Sequence, residues 1–187
     1  MDYMNFQIAL QEYSASQNVR VPRLDYAVMF SGITECKEAS FLKSYIFAPE
    51  PDQFLMQDEA IQKNYKWLQG MSNAKYTDVV FGRHIARQTD DNIPMSLTNR
   101  STYYKVEKGT DINLAMHALS KAHYNSYDIA FVMSADTDYI NLYRQLKMVG
   151  KIVIPVVVRG QYLGKIIPEV DDHIVLDRNH FDKWLRP

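Results

Sequence analysis

The chain has 187 residues, of which 47% are hydrophobic and 23% are charged, a composition typical of a soluble globular protein. Its 22 acidic and 21 basic side chains give a net charge of −1, which excludes the general basic excess of a nonspecific duplex-binding protein. Cys36 is the single cysteine, and no apolar run approaches the roughly 18 residues that suggest a membrane helix. We therefore expect one domain over residues 1–187, located in the cytoplasm and without a membrane partner.

Helical and strand patterns alternate along the chain without repeats or low-complexity segments. Helices are predicted where apolar residues recur at i, i+3 and i+4, and strands where apolar residues alternate with polar ones or form short runs. In chain order, the patterns predict helices over 5–14, 25–33, 52–70, from 111 onward, over 137–149 and at the C-terminus, and strands over 41–47, 75–85, 129–133, 152–158 and 174–176. Polar residues and Pro94 predict a loop over 86–100.

The apolar runs at 129–133 and 152–158 are typical of strands buried on both faces of a parallel sheet. Pro155 lacks an N–H group, which predicts an edge position or a bulge for its strand, and Pro49 predicts the end of the strand before it. Alternating strands and helices predict an α/β fold, a three-layer α/β/α sandwich around a mainly parallel sheet. Ligands of such sheets bind at the carboxyl ends of the strands.

Aspartates follow these predicted strand ends. Asp136 and Asp138 come directly after the strand 129–133, Asp111 opens a helix after Gly109, and Asp2 precedes the first helix. Carboxylates at strand ends are ligands for a hard cation such as Mg²⁺. Asp111 and the pair Asp136 and Asp138 are also explained as helix caps, which satisfy free N–H groups, and Asp2 as part of a frayed terminus.

Taken together, these segments resemble the NYN-domain proteins, the LabA-like branch of the PIN-like nucleases. The family pattern is a strand ending in D-x-x-N, then K-G-x-D, then a strand ending in S-G-D-x-D-F. The matching residues here are Asp2 and Asn5, then Lys108, Gly109 and Asp111, then Ser134, Asp136, Asp138 and Tyr139. Ala135 stands where the family has glycine, and the apolar residues of the family's first strand are absent, so that strand is expected to be missing or truncated.

The resemblance implies a metal-dependent ribonuclease that hydrolyses phosphodiester bonds with Mg²⁺ or Mn²⁺. Asp2, Asp111 and Asp136 would hold the metal, Asp138 would complete the cluster or position the attacking water, and Asn5 would orient Asp2 or a phosphate. Clustered carboxylates repel one another, and a divalent cation neutralises them.

A substrate groove beside these acids needs positive charge and stacking surfaces. The candidates precede or flank Asp111, and single-stranded or looped RNA suits them because stacking needs unpaired bases. The expected substrate-binding residues are Ser134, Lys108, Arg100, Lys105 and Tyr104. The same residues are also explained as an ordinary solvated surface.

Two other functions remain open from the sequence. The segment Asp136-Thr-Asp138 after an apolar strand also fits a phosphatase of the haloacid-dehalogenase kind, in which the first aspartate is the nucleophile. An inactive NYN-like module that binds RNA or protein is favoured by the absent first strand, since an open sheet edge is covered by another subunit in a homo-oligomer.

Overall fold

The computed structural model describes residues 1–186, which form six strands and six α-helices. The strands are β1 (Ser44–Pro51), β2 (Thr77–Gln88), β3 (Tyr103–Lys108), β4 (Ile129–Val132), β5 (Ile152–Val158) and β6 (Ile174–Leu176). The helices are α1 (Tyr3–Ser16), α2 (Tyr26–Glu35), α3 (Glu59–Met71), α4 (Thr110–His123), α5 (Ile140–Met148) and α6 (Arg178–Phe181). None of the helices in this part of the chain is long and apolar enough to cross a membrane.

The strands form two three-stranded sheets. In the first, the order is β1-β2-β3, with β1 and β2 parallel and β3 antiparallel to β2. In the second, the order is β4-β5-β6, and all neighbours are parallel. Helices and mainly parallel strands alternate, so the protein has the predicted α/β fold.

Met1 and Asp2 join the two sheets. The Met1 amine donates to the Tyr45 carbonyl (2.7 Å), and the Met1 carbonyl accepts from the Phe47 N–H (2.9 Å). These contacts pair Asp2 with Phe47 of β1 in the parallel sense. On the other side, the Asp2 N–H donates to the Met133 carbonyl at the end of β4 (3.1 Å). Two residues therefore occupy the position of a central strand between β1 and β4.

Two large hydrophobic cores lie against the sheets, and a smaller third cluster contains Leu55, Ala86 and Tyr103. The first contains side chains of α1, α2 and α3, such as Leu10 and Met29, together with Ile154 of β5. The second contains side chains of α4 and α5, such as Tyr143, together with Val153 of β5. Neighbouring residues of β5 thus belong to different cores, as the alternation of side chains along a strand requires.

The strand predicted to end at Pro49 continues through Pro51. The Phe47 N–H points toward Met1, and the nitrogens of Pro49 and Pro51, two and four residues later, point to the same side. On that side the chain leaves the sheet after Asp2 to form α1, so no strand in the described residues lies opposite the prolines. The missing N–H groups therefore cost no ladder hydrogen bond.

Pro155 lies in the middle strand of its sheet, not at an edge, so the predicted edge position is wrong. β4 pairs with β5 up to Pro155, and β6 pairs with it from Val156 onward. The proline occupies the point where one ladder ends and the other begins, which accommodates its missing N–H group without an edge position.

The largest difference from the predicted elements is β3, which no pattern indicated. Only Tyr103 of its six residues is buried, and the strand forms the edge of its sheet. Its partner β2 also extends to Gln88, into the predicted loop. The helix predicted from residue 52 begins at Glu59 instead, because the Asp52 carboxylate accepts hydrogen bonds from the Leu55 and Ala86 N–H groups.

We predict that Asp2→Pro is less stable than Asp2→Ala by about 1–3 kcal/mol, the cost of an unpaired buried carbonyl. Both variants lose the carboxylate, but only proline removes the N–H that Met133 accepts. Asp2 has φ −77°, which proline adopts without strain. Urea unfolding measures the difference, and equal stability of the two variants would show that this hydrogen bond does not hold the sheets together.

Candidate functional site

Asp2 lies at the centre of a group of carboxylates at the carboxyl ends of the strands. Its side chain is 5% exposed, and its Oδ1 atom caps α1 by accepting from the Asn5 N–H (3.1 Å). Its Oδ2 atom accepts from the Ser134 hydroxyl (3.3 Å). Burial raises the pKa of the Asp2 carboxyl and the like charge of Asp111 raises it further, against the effect of the Asn5 hydrogen bond.

The Tyr139 hydroxyl connects Asp2 with Asp111. It donates to Asp111 Oδ1 (2.9 Å) and lies 3.4 Å from Asp2 Oδ2. Burial raises the pKa of the Tyr139 hydroxyl, and the charges of Asp2, Asp111 and Asp136 raise it further. The structure thus brings two of the predicted carboxylates, Asp2 and Asp111, to one buried hydroxyl group.

Ser134 links Asp2 to Asp136. Its hydroxyl donates to Asp2 and accepts from the Asp136 N–H (3.2 Å), and the residue is only 2% exposed. The Ser134 hydroxyl is thus buried and holds the Asp2 carboxylate and the Asp136 N–H, and its predicted contact with a substrate stays a prediction.

Asp136 and Asp138 have different surroundings although they are two residues apart. Asp136 is half-buried, and its Oδ1 atom caps a short 3-10 turn by accepting from the Asp138 N–H (2.9 Å). Asp138 is exposed, and its carboxylate makes no hydrogen bond or ion pair with any residue among 1–186. The structure does not bring the Asp138 carboxylate into contact with the other aspartates.

Asn5 connects three elements near Asp2. Its Oδ1 atom accepts from the Ala135 N–H (3.2 Å) and from Gln161 Nε2 (3.0 Å), while its own N–H holds the Asp2 carboxylate. Gln161 in turn accepts from the Val158 N–H at the end of β5 (2.9 Å). Asn5 therefore orients Asp2 through its backbone, and its side chain ties α1 to the ends of β4 and β5.

Glu107 is a further carboxylate near this group, and the sequence reasoning missed it. Partial burial raises the pKa of Glu107, and the charges of Asp2 and Asp111 raise it further. It lies on β3 opposite His84 of β2. Recognising it required β3, because the segment has no apolar pattern that would have placed Glu107 opposite His84 of β2.

The position of Asp111 depends on close packing between β2 and the start of α4. Gly109 has φ +82°, a conformation that glycine adopts without strain, and the Asn113 side chain donates to the Phe81 carbonyl (3.2 Å). A Cβ atom on Gly82 would lie 2.8 Å from both the Lys108 carbonyl and the Thr110 nitrogen. Gly82 thus allows α4 to start where Asp111 reaches Tyr139.

The predicted substrate-binding cations are exposed, but they do not form one surface with Tyr104. Lys105 and Glu107 share one face of β3, and Tyr104 and Lys108 project from the other face because side chains alternate. Arg100 lies in the short turn before β3. Hydrogen bonds from the Ile61 and Ala60 N–H groups lower the pKa of the Asp58 carboxyl, and the charges of Lys105 and Arg100 lower it further. Lys105 and Arg100 therefore belong to one region, from which Tyr104 is separated.

The carboxylates do not form a preassembled metal site. Among residues 1–186, no three His, Cys, Asp or Glu side chains come close enough together to hold an ion. Asp2 and Asp111 are the pair that meets, at the Tyr139 hydroxyl. Their oxygen atoms are the donors that Mg²⁺ takes, and Mg²⁺ is usually held by about one or two carboxylates while it keeps several waters.

Comparisons with known proteins assign a family and a fold. A family model of the NYN domain matches residues 13–177, a range that includes Asp111 and Asp136 but begins after Asp2 and Asn5. No curated protein matches the chain. The crystal structure of a protein of unknown function from Vibrio parahaemolyticus aligns with a TM-score of 0.56 and 16% identity, covering 99% of this chain and 92% of that one. This likeness shows a shared fold.

We predict that Gly82→Ala lowers the free energy of unfolding by about 1–3 kcal/mol, because its Cβ atom forces backbone at the start of α4 to move. Gly70→Ala is the matched control, since a Cβ atom there meets nothing within 4 Å and alanine favours α3 by up to about 1 kcal/mol. Chemical unfolding of both variants measures the effect. If Gly82→Ala is as stable as the wild-type protein, the close approach of Gly82 to Lys108 and Thr110 does not hold β2 and α4 together.

Proposed function

Because the chain belongs to the NYN domain family, we propose that it is a metal-dependent ribonuclease of the LabA-like, PIN-like kind with a three-layer α/β/α arrangement. The α/β fold and the position of the acidic group at the carboxyl ends of the strands support this proposal. The NYN match also favours phosphodiester hydrolysis over the aspartyl-phosphate chemistry of the haloacid-dehalogenase alternative.

The observation that carries the proposal is the meeting of Asp2 and Asp111 at the Tyr139 hydroxyl. The two aspartates are 109 positions apart in the chain, and Ser134 adds Asp136 to the same group. Tyr139 has one proton to donate, so it cannot satisfy both carboxylates. A group of like charges at the carboxyl ends of the strands is an arrangement that a divalent cation stabilises.

Mg²⁺ or Mn²⁺ held by Asp2 and Asp111 would polarise a phosphate oxygen and lower the pKa of a bound water. The chain's own residues hold these carboxylates in place. Ser134 and the Asn5 N–H fix the two oxygens of Asp2, and Tyr139 fixes Asp111. Ser134 also accepts a hydrogen bond from the Asp136 backbone N–H, and the half-buried Asp136 carboxylate would reach the metal through a water.

The proposed substrate is single-stranded or looped RNA. Lys105 provides positive charge on the same face of β3 as Glu107, and Arg100 lies in the turn before that strand. Cations along this edge favour a polyanion whose backbone crosses the strand ends. Lys108 and Tyr104, on the other face of β3, would contact a different part of such a chain.

A second candidate function is an NYN domain that binds RNA without cutting it. The observation that favours it is that no three acidic, His or Cys side chains among the described residues are preassembled around an ion. In this alternative the acidic group has a structural role, since both Asp2 and Asp136 cap turns or helices.

We predict that Asp111→Asn reduces Mn²⁺-dependent cleavage of a fluorescent single-stranded RNA by about 100-fold or more, since it removes one charge from the reacting centre. Asp111 is exposed, so the variant should fold normally. Asp128→Asn, an exposed aspartate before the amino end of β4, is the matched control and should retain wild-type cleavage.

Two outcomes of this experiment would contradict the proposal. Unchanged cleavage by Asp111→Asn would remove Asp111 from the reaction. RNA binding without cleavage by the wild-type protein, in either Mn²⁺ or Mg²⁺, would establish the second candidate. Calorimetric titration with Mn²⁺ alone adds an independent measurement, in which Asp111→Asn should bind more weakly than Asp128→Asn.

A further inference from the structure

A cavity of about 250 Å³ opens at the carboxyl ends of β1 and β2, between the start of α1 and helix α3. Its walls include the rings of Tyr65, Pro49 and Pro51 and the side chain of Leu68. Tyr65 is fixed in orientation, because its ring packs against Phe81 with centroids 5.2 Å apart and its hydroxyl donates to Glu50 (2.5 Å). The cavity therefore offers flat, apolar and preorganised walls.

The cavity adjoins the acidic group described above. Tyr3 and Met4, the residues that follow Asp2, form part of its wall. On the opposite side the wall includes His84, the cross-strand neighbour of Glu107, whose pKa is raised in part by the charges of Asp2 and Asp111. A ligand in the cavity would thus contact residues that adjoin Asp2 in the chain and Glu107 across the strands.

Polar groups at the cavity have unused hydrogen-bonding capacity. The Asn64 Oδ1 atom accepts from the Tyr3 hydroxyl (2.5 Å), which fixes the amide, and Asn64 Nδ2 donates to no other residue in the described part of the chain. The His84 imidazole makes no side-chain hydrogen bond within the same residues. Burial lowers the pKa of His84, and the nearby Lys105 lowers it further, so the ring is neutral at pH 7 and offers one donor and one acceptor.

Positive charge at this cavity comes from a single lining side chain. Lys105 is the cation among the lining residues, on the same face of β3 as Glu107. A flat apolar slot with free edge donors, a cation at its rim and an acidic centre alongside matches a nucleotide, whose base is apolar on its faces and polar at its edge.

We propose that this cavity binds one unpaired nucleobase of the RNA strand, adjacent to the phosphate that is cleaved. The base stacks against the Tyr65 side of the cavity, Asn64 Nδ2 donates to an acceptor on its edge, and Lys105 contacts the neighbouring phosphate. This inference rests on the proposed function, because it assumes that the strand crosses Asp2 and Asp111.

The test uses short single-stranded RNA oligomers in which an abasic nucleotide is moved through each position in turn. At one position, loss of the base should weaken binding to the wild-type protein by about 5- to 150-fold, the range for one stacked base. Ala60→Trp fills the cavity from an exposed position on α3. This variant should bind the intact oligomer no better than the wild-type protein binds that abasic oligomer. The ratio of its affinities for the intact and the abasic oligomer should fall to about 1.

Gln69→Trp, an exposed residue of the same helix that does not line the cavity, is the matched control and should keep the wild-type ratio. If Ala60→Trp keeps the wild-type ratio, or if no abasic position weakens binding, the base does not enter the cavity. Cleavage of the same oligomers would then still support the proposed nuclease function. If the wild-type protein neither binds nor cuts the intact oligomers, the proposed function fails and this inference fails with it.

Discussion

The hydrogen bonds of Met1 and Asp2 are the constraint on which the rest of the structure depends. They connect β1 to β4 across the middle of the molecule, and without them the two sheets share no ladder in the described residues. The residue that closes this gap is also the buried carboxylate of the candidate site. Structure and chemistry are therefore coupled at Asp2, because its backbone joins the sheets and its side chain faces Ser134 and Tyr139.

Local patterns were sufficient to predict most of the elements. The runs at 152–158 and 174–176 are strands with the predicted bounds, and the helix after Gly109 is present. The errors occur where tertiary pairing decides the outcome. β3 is an exposed edge strand whose partner β2 supplies the missing hydrogen bonds, and Pro49 and Pro51 are accepted in β1 because the side they face carries no strand.

The candidate site was predictable to a similar degree. The rule that ligands bind at the carboxyl ends of strands singled out Asp111 and Asp136, and the family resemblance added Asp2. The structure brings Asp2 and Asp111 together at the Tyr139 hydroxyl. The rule could not separate Asp136 from Asp138, because that depends on a 3-10 turn in which one aspartate caps the other's N–H. Glu107 was invisible without β3, and the burial of Ser134 follows from the packing of Asp2 against the end of β4.

The near balance of 22 acidic and 21 basic residues conceals a separation of charge around this site. Lys105 and Arg100 act on Asp58, whereas the charges that act on Asp2 and Glu107 from other side chains are those of neighbouring carboxylates. The cations therefore do not neutralise the acidic group, although they lie along the adjacent strand and turn. The acidic group is suited to a divalent cation, and the strand and turn that carry Lys105 and Arg100 are suited to a polyanion. A net charge of −1 is therefore compatible with a metal-dependent site for RNA.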